Sequence, residues 1–155
     1  MNDLTFHEKS AWGTLLVSLV VGSLYFSRVL GLWQSDGLDA PAMLQLALGY
    51  TIFLVVVLVV YHALCARSSQ DPVKDERDRL ITWRAGAIGG SVLGFGVIGI
   101  VVQVVLEGLF VGINGGRAPA VSESPVLIAN LLLLVVLLAS VVELAARLYL
   151  YRRGP

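Results

Sequence analysis

The chain has 155 residues, 57% of them apolar and only 14% charged, where an ordinary soluble domain carries about 25% charged residues. Its formal net charge is zero, so it offers no global basic field to nucleic acid. A single cysteine, Cys65, excludes an intramolecular disulfide and any paired-cysteine redox motif.

The apolar residues gather into four blocks. A helix that crosses ~30 Å of hydrocarbon needs about 20 mostly apolar residues, because each adds ~1.5 Å. Four segments meet that length, at about 11–33, 42–66, 83–111 and 125–149. They predict an all-α fold, a four-helix transmembrane bundle forming a single integral membrane domain over 1–155. Open strands would leave backbone groups unpaired in lipid, and the strict apolar/polar alternation of barrel strands is absent.

Span one follows a head that contains Asp3 and Glu8. Its apolar region is too long for a signal peptide and no small-x-small cleavage site follows, so it reads as a retained span. It carries Ser23, Ser27 and Gly31 at spacing four, with Arg28 in its outer part. Span two has Pro41 in its first turn after Asp39, runs through "IFLVVVLVV" and closes with His62 and Arg67.

The central loop, 67–82, and the start of span three hold the densest charge of the chain, "KDERDRLITWR". Asp75 and Asp78 have the spacing of a capping box, and Asp75 with Arg79 forms an i,i+4 pair. A helical lead-in to span three fits this pattern, with Leu80, Ile81 and Trp83 marking the membrane interface. Lys74, Arg77, Ile81 and Arg84 share one helical face, and Asp71, Asp75, Asp78 and Thr82 share another. Two readings of Asp75, Glu76, Arg77, Asp78, Arg79 and Arg84 stand side by side. One is a docking surface for a cytosolic partner; the other is a solvated signal that caps the helix and orients the spans. Span three then carries Gly86, Gly90 and Gly94 at spacing four, and Glu107 in its outer part. The loop "GINGGRAPAVSES" leads to Ser124-Pro125, an N-cap followed by proline at the first helical position. Span four contains Asn130, Glu143 and Arg147 and ends at Arg152 and Arg153.

Basic residues predict the orientation. Lys9, Arg67, Lys74, Arg77, Arg79, Arg84, Arg147, Arg152 and Arg153 fall on one side of a four-span arrangement, against Arg28 and Arg117 on the other. Positive residues stay cytoplasmic, so both termini and the central loop are expected inside.

Charges within spans are costly, roughly 2.5–3.5 kcal/mol at mid-membrane on insertion scales. Arg28 and Glu107 lie at similar outer depth. They are expected either to pair between spans one and three, with Gln45, Gln103 and Asn130 extending the layer, or to reach the interface separately. His62 and Glu143 reach similar depth at the inner end, with Arg147 completing an i,i+4 pair and Glu8, Lys9 and Arg84 approaching. This inner cluster reads as a salt-bridge layer or as a proton-responsive site. "HALCAR" and "VELAAR" look alike, which suggests a weak repeat of hairpins. The small residues of spans one and three predict close packing between those two helices, or against a second copy in a homo-oligomer. Spans two and four read as largely lipid-facing.

Facing axial histidines, an intramembrane Ser–His or Asp pair, a zinc motif, paired cysteines and a phosphate-cradling loop are all absent from the sequence. No catalytic, cofactor-binding or metal site is therefore expected, and no cofactor. "HEKSAW", "DERDRLI" followed by "RA", and the "NLLLL" span ending in "LYLYRRGP" resemble a group of small bacterial four-span membrane proteins known as a domain of unknown function. Its motifs match Glu8, Lys9, Ser10, Trp12, Asp75, Glu76, Arg77, Asp78, Arg84, Asn130, Tyr151, Arg152 and Arg153. The resemblance implies a bacterial inner-membrane location and no particular chemistry. The expected function is a non-enzymatic membrane interaction or regulatory protein, in contact with the lipid bilayer and a cytosolic protein. The alternative is a small transporter or proton-coupled carrier using Arg28, Glu107, His62 and Glu143.

Overall fold

The structure, a computed structural model, describes residues 6–35, 39–67, 76–114 and 124–153. These form four α-helices and, among the described residues, no strand: α1 Phe6–Gln34, α2 Ala40–Arg67, α3 Glu76–Asn114 and α4 Pro125–Arg153. All four are long and apolar enough to cross a membrane, and large apolar side chains such as Phe53, Val59, Phe95 and Ile98 are exposed along them. Outside lipid such a surface would aggregate; the chain is a multi-pass membrane protein. The 39 residues of α3 span about 58 Å at ~1.5 Å per residue, far more than ~30 Å of hydrocarbon. The lead-in and span three are thus one continuous helix.

Local chemistry sets the helix starts. Asp39 caps α2, its Oδ1 accepting from Ala42 N at 3.1 Å. Ser124 caps α4, its Oγ accepting from Leu127 N at 3.3 Å. Pro41 and Pro125 occupy first-turn positions that need no N–H. Asp71, Asp75 and the proposed capping box lie outside the described residues.

The helices are antiparallel to their packing neighbours. Contacts run from Lys9 to Tyr61, from Tyr25 to Asn130 and from Arg77 to Tyr151. Thus α1 and α3 begin, and α2 and α4 finish, at one end, called here the basal end; the other is distal. Packing joins α3 to α4, α4 to α1 and α1 to α2. The bundle is therefore an open row, α3–α4–α1–α2, without a packed α2–α3 interface to close it. One core cluster sits basally, with Ala11 and Leu15 of α1 against Leu148 of α4. A second sits distally, with Tyr25 and Val29 of α1 against Met43 of α2.

The expected packing of α1 on α3 is not what the chain adopts: α4 lies between them. Glycine recesses on both neighbours receive bulky α4 side chains. Gly96 faces Val135, Gly22 faces Leu137, and Gly89 faces the Cβ of Glu143 and the carbonyl of Ala139. Apolar burial gives no net drive to associate in lipid, so close backbone approach and dispersion carry the contact. A recess filled by a branched side chain supplies both. Ile81 and Ala85, fully buried, continue the same α3 face at spacing four toward Gly89. The regular series Gly86, Gly90 and Gly94 points elsewhere, with open space beside each. Span four is accordingly the shared partner of α1 and α3 while still exposing Leu132, Leu133, Val136 and Leu138, and α2 remains mostly exposed, as its composition predicts.

Adjacent glycines provide a matched test. A Cβ on Gly89 would stand 2.8 Å from Glu143 Cβ and 3.1 Å from a backbone oxygen, whereas one on Gly90 meets nothing within 4 Å. Replacing glycine by alanine in a helix gains about 1 kcal/mol of propensity, and overpacking costs roughly 1–3 kcal/mol. Gly90→Ala should hold or raise the thermal midpoint in detergent, and Gly89→Ala should lower it.

Candidate functional site

Polar side chains concentrate at the basal end, and three helices are tied together there. Arg77 Nη2 donates to the carbonyl of Tyr151 at 3.3 Å, and the Tyr151 hydroxyl hydrogen-bonds the Asp78 carboxylate. Arg147 and Glu8 lie near enough to act on the same phenol electrostatically. The Arg152 guanidinium stands 5.6 Å over the Trp12 ring, which links the last turn of α4 to α1.

The charged stretch therefore divides. Arg77 and Asp78 are drawn to α4 together with Ile81 and Ala85, because all four lie on the helical face that packs. Arg77 stays exposed at the edge of that contact, and Glu76, Arg79, Leu80, Trp83 and Arg84 are exposed, with Trp83 71% accessible. Glu76, Arg79, Leu80 and Trp83 also border one shallow surface depression. Asp75 lies outside the described residues.

A second basal feature is a cavity of about 300 Å³ bounded by Ser10, Ala11 and Thr14 of α1, His62 of α2, and Ser140, Glu143, Leu144 and Arg147 of α4. The His62 and Glu143 singled out at equal depth thus share one cavity. Their bonded partners differ. Glu143 Oε1 accepts from Arg147 Nη2 at 2.8 Å, one helical turn away. His62 Nδ1 is 2.7 Å from the Leu58 carbonyl and donates there. Its Nε2 stands 3.5 Å from Thr14 Oγ1, the outer limit of a hydrogen bond. Thr14 itself donates to the Ser10 carbonyl at 2.8 Å, and Tyr61 donates to the Lys9 carbonyl at 2.7 Å.

Above this cavity lies a second, of about 190 Å³, floored by α1 and walled by α2 and α4; Ser140 lines both. Its surface is mainly apolar, with Val21, Gly22, Phe26, Leu54, Leu133 and Leu137.

The distal polar layer is built differently from expectation. Arg28 is exposed on α1 and makes no ion pair with Glu107, because α4 separates α1 from α3. Glu107, 5% accessible, accepts instead from Gln103 Nε2 at 2.7 Å, one turn back on α3. Gln45 is exposed. Asn130 is buried and bonded: Tyr25 Oη donates to its Oδ1 at 2.7 Å, and its Nδ2 donates to the Val126 carbonyl at 2.8 Å. Tyr25 also packs edge-on against Tyr50, 5.6 Å between centroids.

Tyr25, Thr14, Tyr61 and Tyr151 were not singled out for these roles by sequence reasoning. The available signal was chemical rather than periodic. A hydroxyl inside an apolar span needs an acceptor, and each of these finds one on a neighbouring helix or one turn back.

The Tyr25–Asn130 bond yields a measurable coupling. Cross-helix hydrogen bonds in lipid average about 0.6 kcal/mol and reach about 1.7. A cycle of Tyr25→Phe, Asn130→Leu and the double substitution, read by unfolding in mixed micelles, should give a coupling in that range, since both side chains are buried.

No protein-family description, curated protein or solved structure was found to match this chain.

Proposed function

We propose that the chain is a non-enzymatic, multi-pass protein of a bacterial inner membrane whose exposed basal face on α3 engages a cytosolic protein. The observation that carries this reading is the division of the charged stretch. A sequence that only oriented the span would need charge, not a directed split. Here Arg77 and Asp78 secure the α3 start to α4, and that contact presents Glu76, Arg79 and Trp83 together on the opposite side, with the exposed Arg84 at its flank. Tryptophan and arginine are the residues most often found at the energetic centre of protein interfaces.

The placement of both termini in the cytosol rests on the positive-inside rule. Lys9, Arg67, Arg77, Arg79, Arg84, Arg147, Arg152 and Arg153 lie toward the basal ends of their helices, with Arg28 toward the distal end. The bacterial location rests on the resemblance of "HEKSAW", "DERDRLI" and "LYLYRRGP". The alternative of a small transporter or proton-coupled carrier needs a polar path between the basal and distal layers. The apolar side chains lining the groove between α2 and α4 favour interaction over carriage.

The test uses the membrane-inserted chain, purified with its bound proteins. Arg79→Glu with Trp83→Ala should leave insertion and thermal midpoint unchanged and lower recovery of the bound protein at least tenfold. Arg77→Glu should instead lower the midpoint, because it removes the donor to Tyr151. Recovery of the same proteins at the same yield from the Arg79→Glu/Trp83→Ala variant would overturn the docking reading. Reporter fusions at the two termini should both report the cytosol.

A further inference from the structure

The two cavities between α2 and α4 meet at Ser140 and change character along their length. At the basal end the walls carry Ser10, Thr14, His62, Glu143 and Arg147. Toward mid-membrane they carry Val21, Phe26, Leu54, Leu133 and Leu137. A polar head site that opens onto an apolar channel, aligned with the helix axes, has the form of an amphiphile lying in one leaflet.

The charged end says which amphiphile. Arg147 has five N–H donors. Its Nη2 is committed to Glu143 at 2.8 Å, which neutralises that carboxylate. Its Nε is enclosed and meets no acceptor among the described residues. A buried donor without an acceptor is costly, more so on a charged group. Nε itself is shut off from the cavity, so a ligand there meets the remaining N–H groups of the Arg147 guanidinium, whose natural complement is an acceptor oxygen carrying negative charge; guanidinium pairs with phosphate in a shorter, stronger bond than a neutral acceptor gives. The head cavity, about 300 Å³, reaches the lower limit of small-molecule sites, roughly 300–1,000 Å³. The groove stays open because α2 and α4 each pack on α1 and form no packed interface with each other.

We infer that this groove is a resident site for a single glycerophospholipid, its phosphate held at Arg147 and one acyl chain laid along α1 between α2 and α4. Basic pockets between helices at a membrane surface bind lipid headgroups by the same chemistry. The site is distinct from the α3 face, and its occupancy does not depend on the docking reading.

Native mass spectrometry of the detergent-purified chain tests it, with phosphatidylglycerol, phosphatidylethanolamine, diacylglycerol and inorganic phosphate as probes. The wild-type chain should retain one phospholipid and bind either phospholipid at least tenfold more tightly than diacylglycerol. Arg147→Gln should remove that preference. Ser140→Leu fills the junction of the two cavities without touching the Glu143–Arg147 pair; it should weaken both phospholipids at least tenfold at an unchanged thermal midpoint. Equal binding of diacylglycerol by the wild type would overturn phosphate recognition. Displacement of the lipid by millimolar inorganic phosphate would show a free-anion site instead. Adducts unaffected by either substitution would mean unspecific annular lipid, and a lipid-free dimer would place a second copy in the groove. Any of these results removes the proposal.

Discussion

Close approach of α4 to the glycines of its neighbours is the contact on which this fold depends. In water, burying leucine and valine would hold four such helices together. In lipid it does not, because the solvent is as apolar as the side chains. What remains is dispersion, which falls off steeply with any gap, so association belongs to the helices whose surfaces fit. Val135 over Gly96, Leu137 over Gly22 and Ala139 and Glu143 over Gly89 give α4 that fit on both sides. The order of the row follows: a helix with knobs sits between two helices with recesses.

Polar groups then do work that apolar ones cannot. Several of the buried or interfacial polar side chains among those described are satisfied across a helix pair or one turn back on their own helix, with the Nε of Arg147 as an exception. Tyr25 with Asn130 and Asp78 with Tyr151 are cross-helix bonds, one at each end of the α4 contacts. They fix register, since a bonded hydroxyl tolerates little sliding, whereas leucine against glycine tolerates more. Gln103 with Glu107 and Arg147 with Glu143 are turn-by-turn pairs. They lower the cost of placing carboxylates near lipid without joining helices. The two classes are easily confused in a linear sequence.

That confusion explains what was legible. Helix number, type and approximate bounds follow from block length and the caps at Asp39 and Ser124, because those signals are local. The common depth of His62 and Glu143 was also legible, since depth is counted from span ends. The neighbour relations were not. A glycine series at spacing four suggests a packing face, yet Gly86, Gly90 and Gly94 are open, while Gly89 and Gly96, seven apart, make the contact. The useful spacing is set by the partner's side chains, which a single helix does not reveal. The pairing alternative for Arg28 and Glu107 fails for the same reason: α4 separates α1 from α3.

Adjacency also distinguishes α2 from the rest. Helices α3, α4 and α1 are joined through glycine recesses, buried bonds and charged ties. Among the described residues, helix α2 has its packed interface on α1 only, by Tyr61 seated over Gly13 and bonded to Lys9, His62 to Thr14, and Tyr50 and Met43 against Tyr25 and Val29. Elements with few packed contacts open at lower free energy than the body they rest on. The wall of the amphipathic groove that is least constrained is therefore α2, and the opposite wall, α4, is the most constrained helix of the chain. A groove between a fixed wall bearing Arg147 and a loosely held wall bearing His62 can admit a chain from the bilayer by displacement of one helix. The contacts that hold α3, α4 and α1 together stay intact during that displacement.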